Sequence, residues 1–209
     1  MTRNMMERQP EKMRAYYRFH AGIYDATRWS FLFGRKTLLY NLPVRTDIPQ
    51  SLLEVGCGTG HNLRLLARRY PALQLTGVDV SGDMLHKAAE TTAPFAARVQ
   101  LHNAAYEKDV TRKAPDHILF SYALTMFNPG WENAIQTAWN DLPAGGHIGV
   151  VDFHDTPSKT FRWWMGQNHV ALEGHLLPFL QSTFRTLRLD ICPAWLGLWR
   201  YFMFVGVKT

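Results

Sequence analysis

The stretch LLEVGCGTGHN, residues 52–62, constrains the fold of this chain more than any other. An apolar run carrying Glu54 leads into three glycines that alternate with small residues, and a helical pattern begins directly after them. Glycine takes positive φ without strain and lets a backbone come close to a ligand. A tight glycine turn between a strand and a helix belongs to a sheet with helices packed on its faces.

The rest of the chain repeats that unit. SLLEVG, LQLTGVDV, RVQLHNA, DHILFSYAL and HIGVVDF read as five strands. HNLRLLARRY, SGDMLHKAAETT and WENAIQTAWNDL read as helices, the first ended by Pro71 and the second capped by Ser81. The continuous apolar run of DHILFSYAL predicts a strand buried on both faces. The alternation predicts a parallel sheet with helices on both sides. The end of the chain departs from it. SKTFRWWMGQNHVALEGHLLPFLQSTF reads as one or two helices, and RTLRLDIC and WRYFMFVGVKT as strands. Their connection, PAWLGL, is too short for a parallel crossover, so the pair is expected to be antiparallel. Ahead of the glycine turn, residues 10–42 read as helical, with Pro10 in a first turn and a break near Gly34. Met13, Tyr16, Tyr17, His20, Ile23, Tyr24 and Thr27 recur there at helical spacing.

Gly56, Gly58 and Gly60 follow a strand and open a helix, which is the setting of a dinucleotide-type site. The nicotinamide fingerprint G-x-G-x-x-G would put its third glycine where this chain has His61. No Lys-Ser/Thr pair follows, so the turn is not a P-loop. Asp79 closes the second strand at the distance expected of a ribose ligand, where a carboxylate can accept both ribose hydroxyls.

E-x-G-x-G-x-G at 54–60, GVDVSGDML at the next strand end and LPAGGHIGVVDF around the fifth strand together resemble class I S-adenosylmethionine-dependent methyltransferases over about residues 50–209. The resemblance implies an α/β, Rossmann-like three-layer sandwich with a seven-stranded, mostly parallel sheet whose last strand is antiparallel. Residues 46–209 would form the core and residues 1–45 a helical lid of the same domain. It implies S-adenosyl-L-methionine as cofactor and S-adenosyl-L-homocysteine as product. Gly56, Cys57, Gly58, Thr59 and Gly60 would pass under the methionine and ribose parts. Glu54 would orient that loop or meet the amino group, and Asp79 would hold the ribose. Val80 and Met84 would pack on adenine, with Asn103 or Ala104 beside it. Ser121 would lie next to the cofactor after the fourth strand, and Tyr24 would reach it from the lid.

A narrower resemblance rests on YDATR, FLFGRKTLL, SYALTM and VDF. These are similar to bacterial N-methyltransferases that make betaine lipids by trimethylating the homoserine amine of diacylglycerylhomoserine. An amine acceptor is implied, either a small molecule or a lipid headgroup. Tyr16 and Tyr17 from the lid, and Asp152 and Asp155 after the fifth strand, would surround it. Plainer roles stand beside these: a packing face for the tyrosines and loop caps for the aspartates. Tyr122, His20 and His154 are candidates to take the amine's proton, and His154 reads equally as a loop histidine. An O- or C-methyltransferase for a small metabolite is the alternative. Two readings come from other classes, a nucleotide-dependent oxidoreductase and a non-catalytic cofactor-binding module. The early third glycine counts against the first, and the presence of Glu54, the glycines and Asp79 against the second.

Composition narrows the partners. The formal net charge is +6, but the basic residues are scattered with no nucleic-acid motif, so no nucleic-acid partner is expected. A cationic chain does suit an anionic membrane surface. The polar start MTRNMMERQPEKMR lacks a secretory apolar core, and no run approaches the ~20 apolar residues of a membrane span. Cys57 and Cys192 give neither metal spacing nor a disulfide framework. The expectation is a reduced, cytoplasmic protein without a metal, in peripheral contact with the inner membrane surface if its acceptor is a lipid.

Overall fold

The computed structural model describes residues 31–107, 110, 113–127, 129–167 and 170–209. The expected lid helix through Tyr16, Tyr17, His20 and Tyr24 lies outside the described residues. Seven strands form one sheet: β1 Ser51–Val55, β2 Gln74–Asp79, β3 Val99–Asn103, β4 His117–Ser121, β5 His147–Asp155, β6 Arg185–Ala194 and β7 Trp199–Val207. Their order is β3-β2-β1-β4-β5-β7-β6. The first five run parallel, and β7 runs antiparallel to both of its neighbours. The helices among the described residues are α1 Arg35–Asn41, α2 His61–Arg69, α3 Gly82–Thr92, α4 Trp131–Asp141, α5 Lys159–Gln167 and α6 Leu176–Thr183. None of them is long and apolar enough to cross a membrane. The expected three-layer architecture with its antiparallel last strand is the one observed.

Side chains on a strand point alternately to opposite faces, and the core divides accordingly. Leu52 and Val151 join Leu38, Leu39, Leu63 and Leu66 of α1 and α2 on one face. Leu53, Ile118, Phe120 and Val150 join Ile135, Ala138 and Leu180 of α4 and α6 on the other. Every residue of β4 is buried, because β1 and β5 flank it and helices cover both its faces. At the opposite extreme β6 is the sheet's edge. It is mostly exposed and carries Arg185, Arg188, Asp190 and Pro193, residue types that discourage further strand pairing.

Close contacts fix α1 on this sheet. A Cβ at Gly149 would lie 2.6 Å from Leu42, so the end of α1 rests directly on β5. Gly34, which precedes α1, has φ 75°, and a Cβ there would lie 2.5 Å from the Tyr201 ring.

Two local boundaries differ from the sequence reading, and both matter for the site. The fourth strand stops at Ser121 and does not continue through Leu124. Tyr122 takes φ 56°, its amide donates to the Val151 carbonyl (2.8 Å), and Leu124–Met126 forms a single 3-10 turn. The fifth strand runs two residues further, to Asp155.

Candidate cofactor and acceptor site

The glycine turn is held from below by backbone bonds. The amides of Gly56 and Cys57 both donate to the Val78 carbonyl, at 2.8 and 3.0 Å, tying the turn to the end of β2. Gly56, Gly58 and Gly60 all have positive φ, at 69°, 52° and 73°. A Cβ at Gly56 would come within 2.9 Å of Ala123, so the glycine lets the segment after β4 pack closely on the turn. At Gly60 a Cβ would press on the backbone of Ala88 at 3.1 Å, so this glycine lets α3 pack closely. Glu54 is buried beneath, where its carboxylate accepts from Asn62 Nδ2 at 2.7 Å. Asn62 was not singled out from the sequence. The bond locks the first turn of α2 to β1 and fits the loop-orienting role expected of Glu54.

Asp79, at the end of β2, accepts from the amide of Gly58 (2.8 Å) on one carboxylate oxygen and from that of Ser81 (2.9 Å) on the other. The carboxylate is therefore fixed in direction by two backbone amides. Ser81 caps α3 as expected, its side chain accepting from the Met84 amide at 3.4 Å.

These groups line a cleft that opens to solvent. It lies beyond the carboxyl ends of β1, β2 and β4, where strand order reverses and ligands of open α/β sheets bind. Of the residues expected around a cofactor, Gly56, Gly58, Asp79, Val80, Met84, Ala104 and Ser121 line it, and so does Tyr122. Sequence reasoning missed Leu32, Tyr106, Met126 and Phe127, which also line it. Met126 closes the SYALTM stretch and Phe127 directly follows it, so only their position signalled them. Tyr106 donates to Asp141 at 2.9 Å, and burial pushes its pKa up. The Ser121 Oγ is buried without a hydrogen-bond partner among the described residues. An orphaned hydroxyl on the floor and an oriented carboxylate at the rim fit a ligand with a hydroxylated ribose and a neighbouring polar group.

The other expected residues lie elsewhere. Glu54, Cys57 and Gly60 are buried behind the turn, and neither they nor Thr59 line the cleft. Asn103 is exposed and donates to the Asp79 carbonyl at 3.1 Å, so it ties β3 to β2 while Ala104 faces the cleft. Asp152 is fully buried away from it. Its carboxylate accepts from Thr125 Oγ1 (2.6 Å), the Thr125 amide (3.2 Å) and its own neighbour's amide at Phe153 (2.8 Å), which braces the 3-10 turn after β4. Burial pushes its pKa up to about 6 against those bonds. Asp155 forms a two-pronged ion pair with Arg200, whose hydrogen bond lowers its pKa. His154 packs against Gly174 and Phe202, and burial lowers its pKa. None of these three lines the cleft, so the expected acceptor contacts of Asp152 and Asp155 are corrected to structural ones. Tyr122 is buried, and its hydroxyl donates to the Phe33 carbonyl at 2.8 Å. Burial raises its pKa well above the ordinary value, so it keeps its proton and is no base.

Residues 52–146 match the family model of a methyltransferase domain. A trans-aconitate 2-methyltransferase from Streptomyces avermitilis is 34% identical over 125 residues, covering 58% of this chain and 46% of that protein. A malonyl-[acyl-carrier protein] O-methyltransferase from Anoxybacillus flavithermus is 36% identical over 89 residues, covering 41% of this chain and 33% of that protein. The chain matches about half or less of the length of these curated relatives. Among solved structures, the N-methyltransferase NodS from Bradyrhizobium japonicum, in complex with S-adenosyl-L-homocysteine, superposes with a TM-score of 0.67 at 20% identity. That likeness covers 83% of this chain and 85% of NodS and concerns the fold. The glycine turn and the oriented acid closing β2 both lie within the stretch that is similar to a methyltransferase domain, and they support S-adenosylmethionine-dependent methyl transfer as the chemistry of this site.

Proposed function

We propose that the protein transfers a methyl group from S-adenosylmethionine to an amine. The observation that carries the acceptor is the charge of the cleft. Among its described lining residues Asp79 is the one charged side chain, and no Lys, Arg or His joins it. Leu32, Ala104, Met126 and Phe127 supply apolar wall. Such a lining suits an acceptor that enters as a neutral amine and leaves as a methylated cation, and it offers nothing to pair with a polycarboxylate.

The cofactor supplies an activated methyl on a sulfonium whose departure needs no metal. The chain's own residues then orient and desolvate. Asp79, fixed by two amides, receives ribose hydroxyls. Ser121 donates its orphaned hydroxyl to a polar group on the floor. Asp152, through Thr125, holds the turn that presents Ala123, Met126 and Phe127. Alignment of reacting partners is the main contribution such a site can make. With Tyr122 committed to Phe33 and His154 outside the cleft, solvent at the open side and His20, which lies outside the described residues, remain to receive the amine's proton. The acceptor class extends to lipid headgroup amines such as that of diacylglycerylhomoserine, in keeping with the YDATR and SYALTM resemblance.

A second reading is O-methylation of a carboxylate, favoured by the relatives named for trans-aconitate and for the malonyl carrier protein. Methyl transfer followed by mass spectrometry separates the two. An acceptor panel would hold diacylglycerylhomoserine, phosphatidylethanolamine, small primary amines and trans-aconitate. Methylated amines support the proposal. Turnover of trans-aconitate alone overturns the amine and keeps the methyltransferase.

A further inference from the structure

A continuous ridge of aromatic side chains leaves the cleft mouth and ends in open solvent. Leu32 lines the cleft, while its neighbours Phe31 and Phe33 both pack on buried Trp199, at ring-centroid distances of 5.3 and 6.2 Å. Phe161 of α5 stacks on Trp199 from another side at 5.3 Å. From this centre the ridge runs outward in two directions. On α5 it reaches Trp164, 5.8 Å from Phe161, with Trp163 beside it in sequence. On the β6–β7 connection it reaches Trp195, 6.5 Å from Phe33. Trp163 is 67% exposed, Trp195 53% and Leu196 wholly so. An exposed run of this kind marks an interaction surface.

The backbone at the tip adds an independent observation. Trp195 and Leu196 both sit in the left-handed region, at φ 44° and 55°, followed by Gly197 at 89°. A turn of this shape favours Gly, Asn or Asp. Here a tryptophan and a leucine occupy it, and Leu196 gains no burial in return. Strain kept at a half-exposed tryptophan and a fully exposed leucine points to a contact made outside the chain.

Charge selects the occupant. Lys159 and Arg162 are exposed on α5, which carries no acidic residue. The tip itself is uncharged, and Arg200 flanks it, paired with Asp155. An uncharged tryptophan–leucine tip, and a helix that carries lysine and arginine beside its exposed tryptophans, match the layers of an anionic lipid surface. Indoles settle at the headgroup level, and cations above it meet the negative leaflet. We propose that the tip Trp195–Leu196 and the face of α5 bearing Trp163 and Trp164 dock the protein on an anionic membrane, with the cleft mouth beside the contact. This surface does not depend on the chemistry of the acceptor.

The test is co-sedimentation of the full chain with vesicles, at low and at physiological salt. One vesicle set is phosphatidylcholine alone, and the other is phosphatidylcholine mixed with phosphatidylglycerol. Binding to the anionic set, weakened by salt, is the expected result. The double variant Trp195→Asn/Leu196→Gly suits the turn better than the native residues, so it folds. It should lose about tenfold or more of the vesicle affinity while keeping its affinity for S-adenosylhomocysteine. Trp163→Ser gives a second reading of the same surface from the helix side. Absence of binding by the native chain at low salt overturns the proposal, as does full binding by both variants. A change of oligomeric state in the variants without any vesicle effect would also overturn it and assign the ridge to a protein contact.

Discussion

The glycine turn after β1 and the tip between β6 and β7 are both built on left-handed backbone, and they use it in opposite ways. At the turn, Gly56 and Gly60 adopt positive φ without a side chain, and the missing Cβ atoms make room for Ala123 and for α3. Amides of the same turn bond to Val78 and Asp79. At the tip, Trp195 and Leu196 adopt it with large side chains, and Leu196 stands in solvent. The first region meets its needs inside the fold. The second holds strain that its own packing does not relieve. Left-handed geometry is thus a folding device in one place and a display device in the other.

Substitutions can break or sharpen that contrast. The largest effect is expected where the ridge enters the core. Trp199 is 1% exposed and stacked between Phe31 and Phe161, so Trp199→Ala should lower stability by about 3–5 kcal/mol in urea unfolding. A much smaller loss would mean that the ridge does not pack as one unit.

Next comes acid, at the end of the sheet remote from both regions. His117 is wholly buried and stacks on its register partner His147 at 5.4 Å. Burial first, and the neighbouring His147 second, push its pKa down to about 4 from an ordinary 6.5, with Asp116 opposing. The unfolded chain therefore binds a proton that the folded chain refuses. Stability from this residue is complete above about pH 6.5 and is lost as pH falls toward 4, by about 3 kcal/mol. Asp152, with its pKa raised to about 6, acts in the opposite sense as pH falls below that value. The difference between the native chain and His117→Gln across that window isolates the histidine. A flat difference would show that His117 takes up its proton while folded.

Gly60→Ala forces a side chain into positive φ against Ala88, and a cost of about 1–2 kcal/mol is expected in the same unfolding assay. Smallest of all, Trp163→Ser should change stability by no more than about 0.5 kcal/mol, because its side chain is in solvent. A large loss there would place Trp163 in the fold and remove it from the display surface.

The same contrast explains what the sequence disclosed. The turn at 56–60 and the acid at 79 end two successive strands that pair side by side, and each is a short pattern legible by itself, so their place at the cleft was readable. The alternation of strands and helices, and the antiparallel end, followed from periodicity and from a short connection. Asp152 and Asp155 were not readable. β5 appeared to end at Phe153, yet it continues because Arg200 on β7, distant in sequence, pairs with Asp155. Within that longer strand Asp152 points into the core toward Thr125. Tyr122 looked like a base, and only the fold brings the Phe33 carbonyl to its hydroxyl. The aromatic ridge combines three separate segments, 31–33, 161–164 and 195–199, and the three meet only in the fold.

Calorimetric titration of S-adenosylhomocysteine into the native chain and into Asp79→Ala tests the central claim most directly. The native chain should bind, and the variant should lose about ten- to a hundredfold in affinity, since a hydrogen bond to a charged group is worth roughly 1.5–3 kcal/mol. No binding by the native chain would contradict the account, and so would equal affinity in the two proteins.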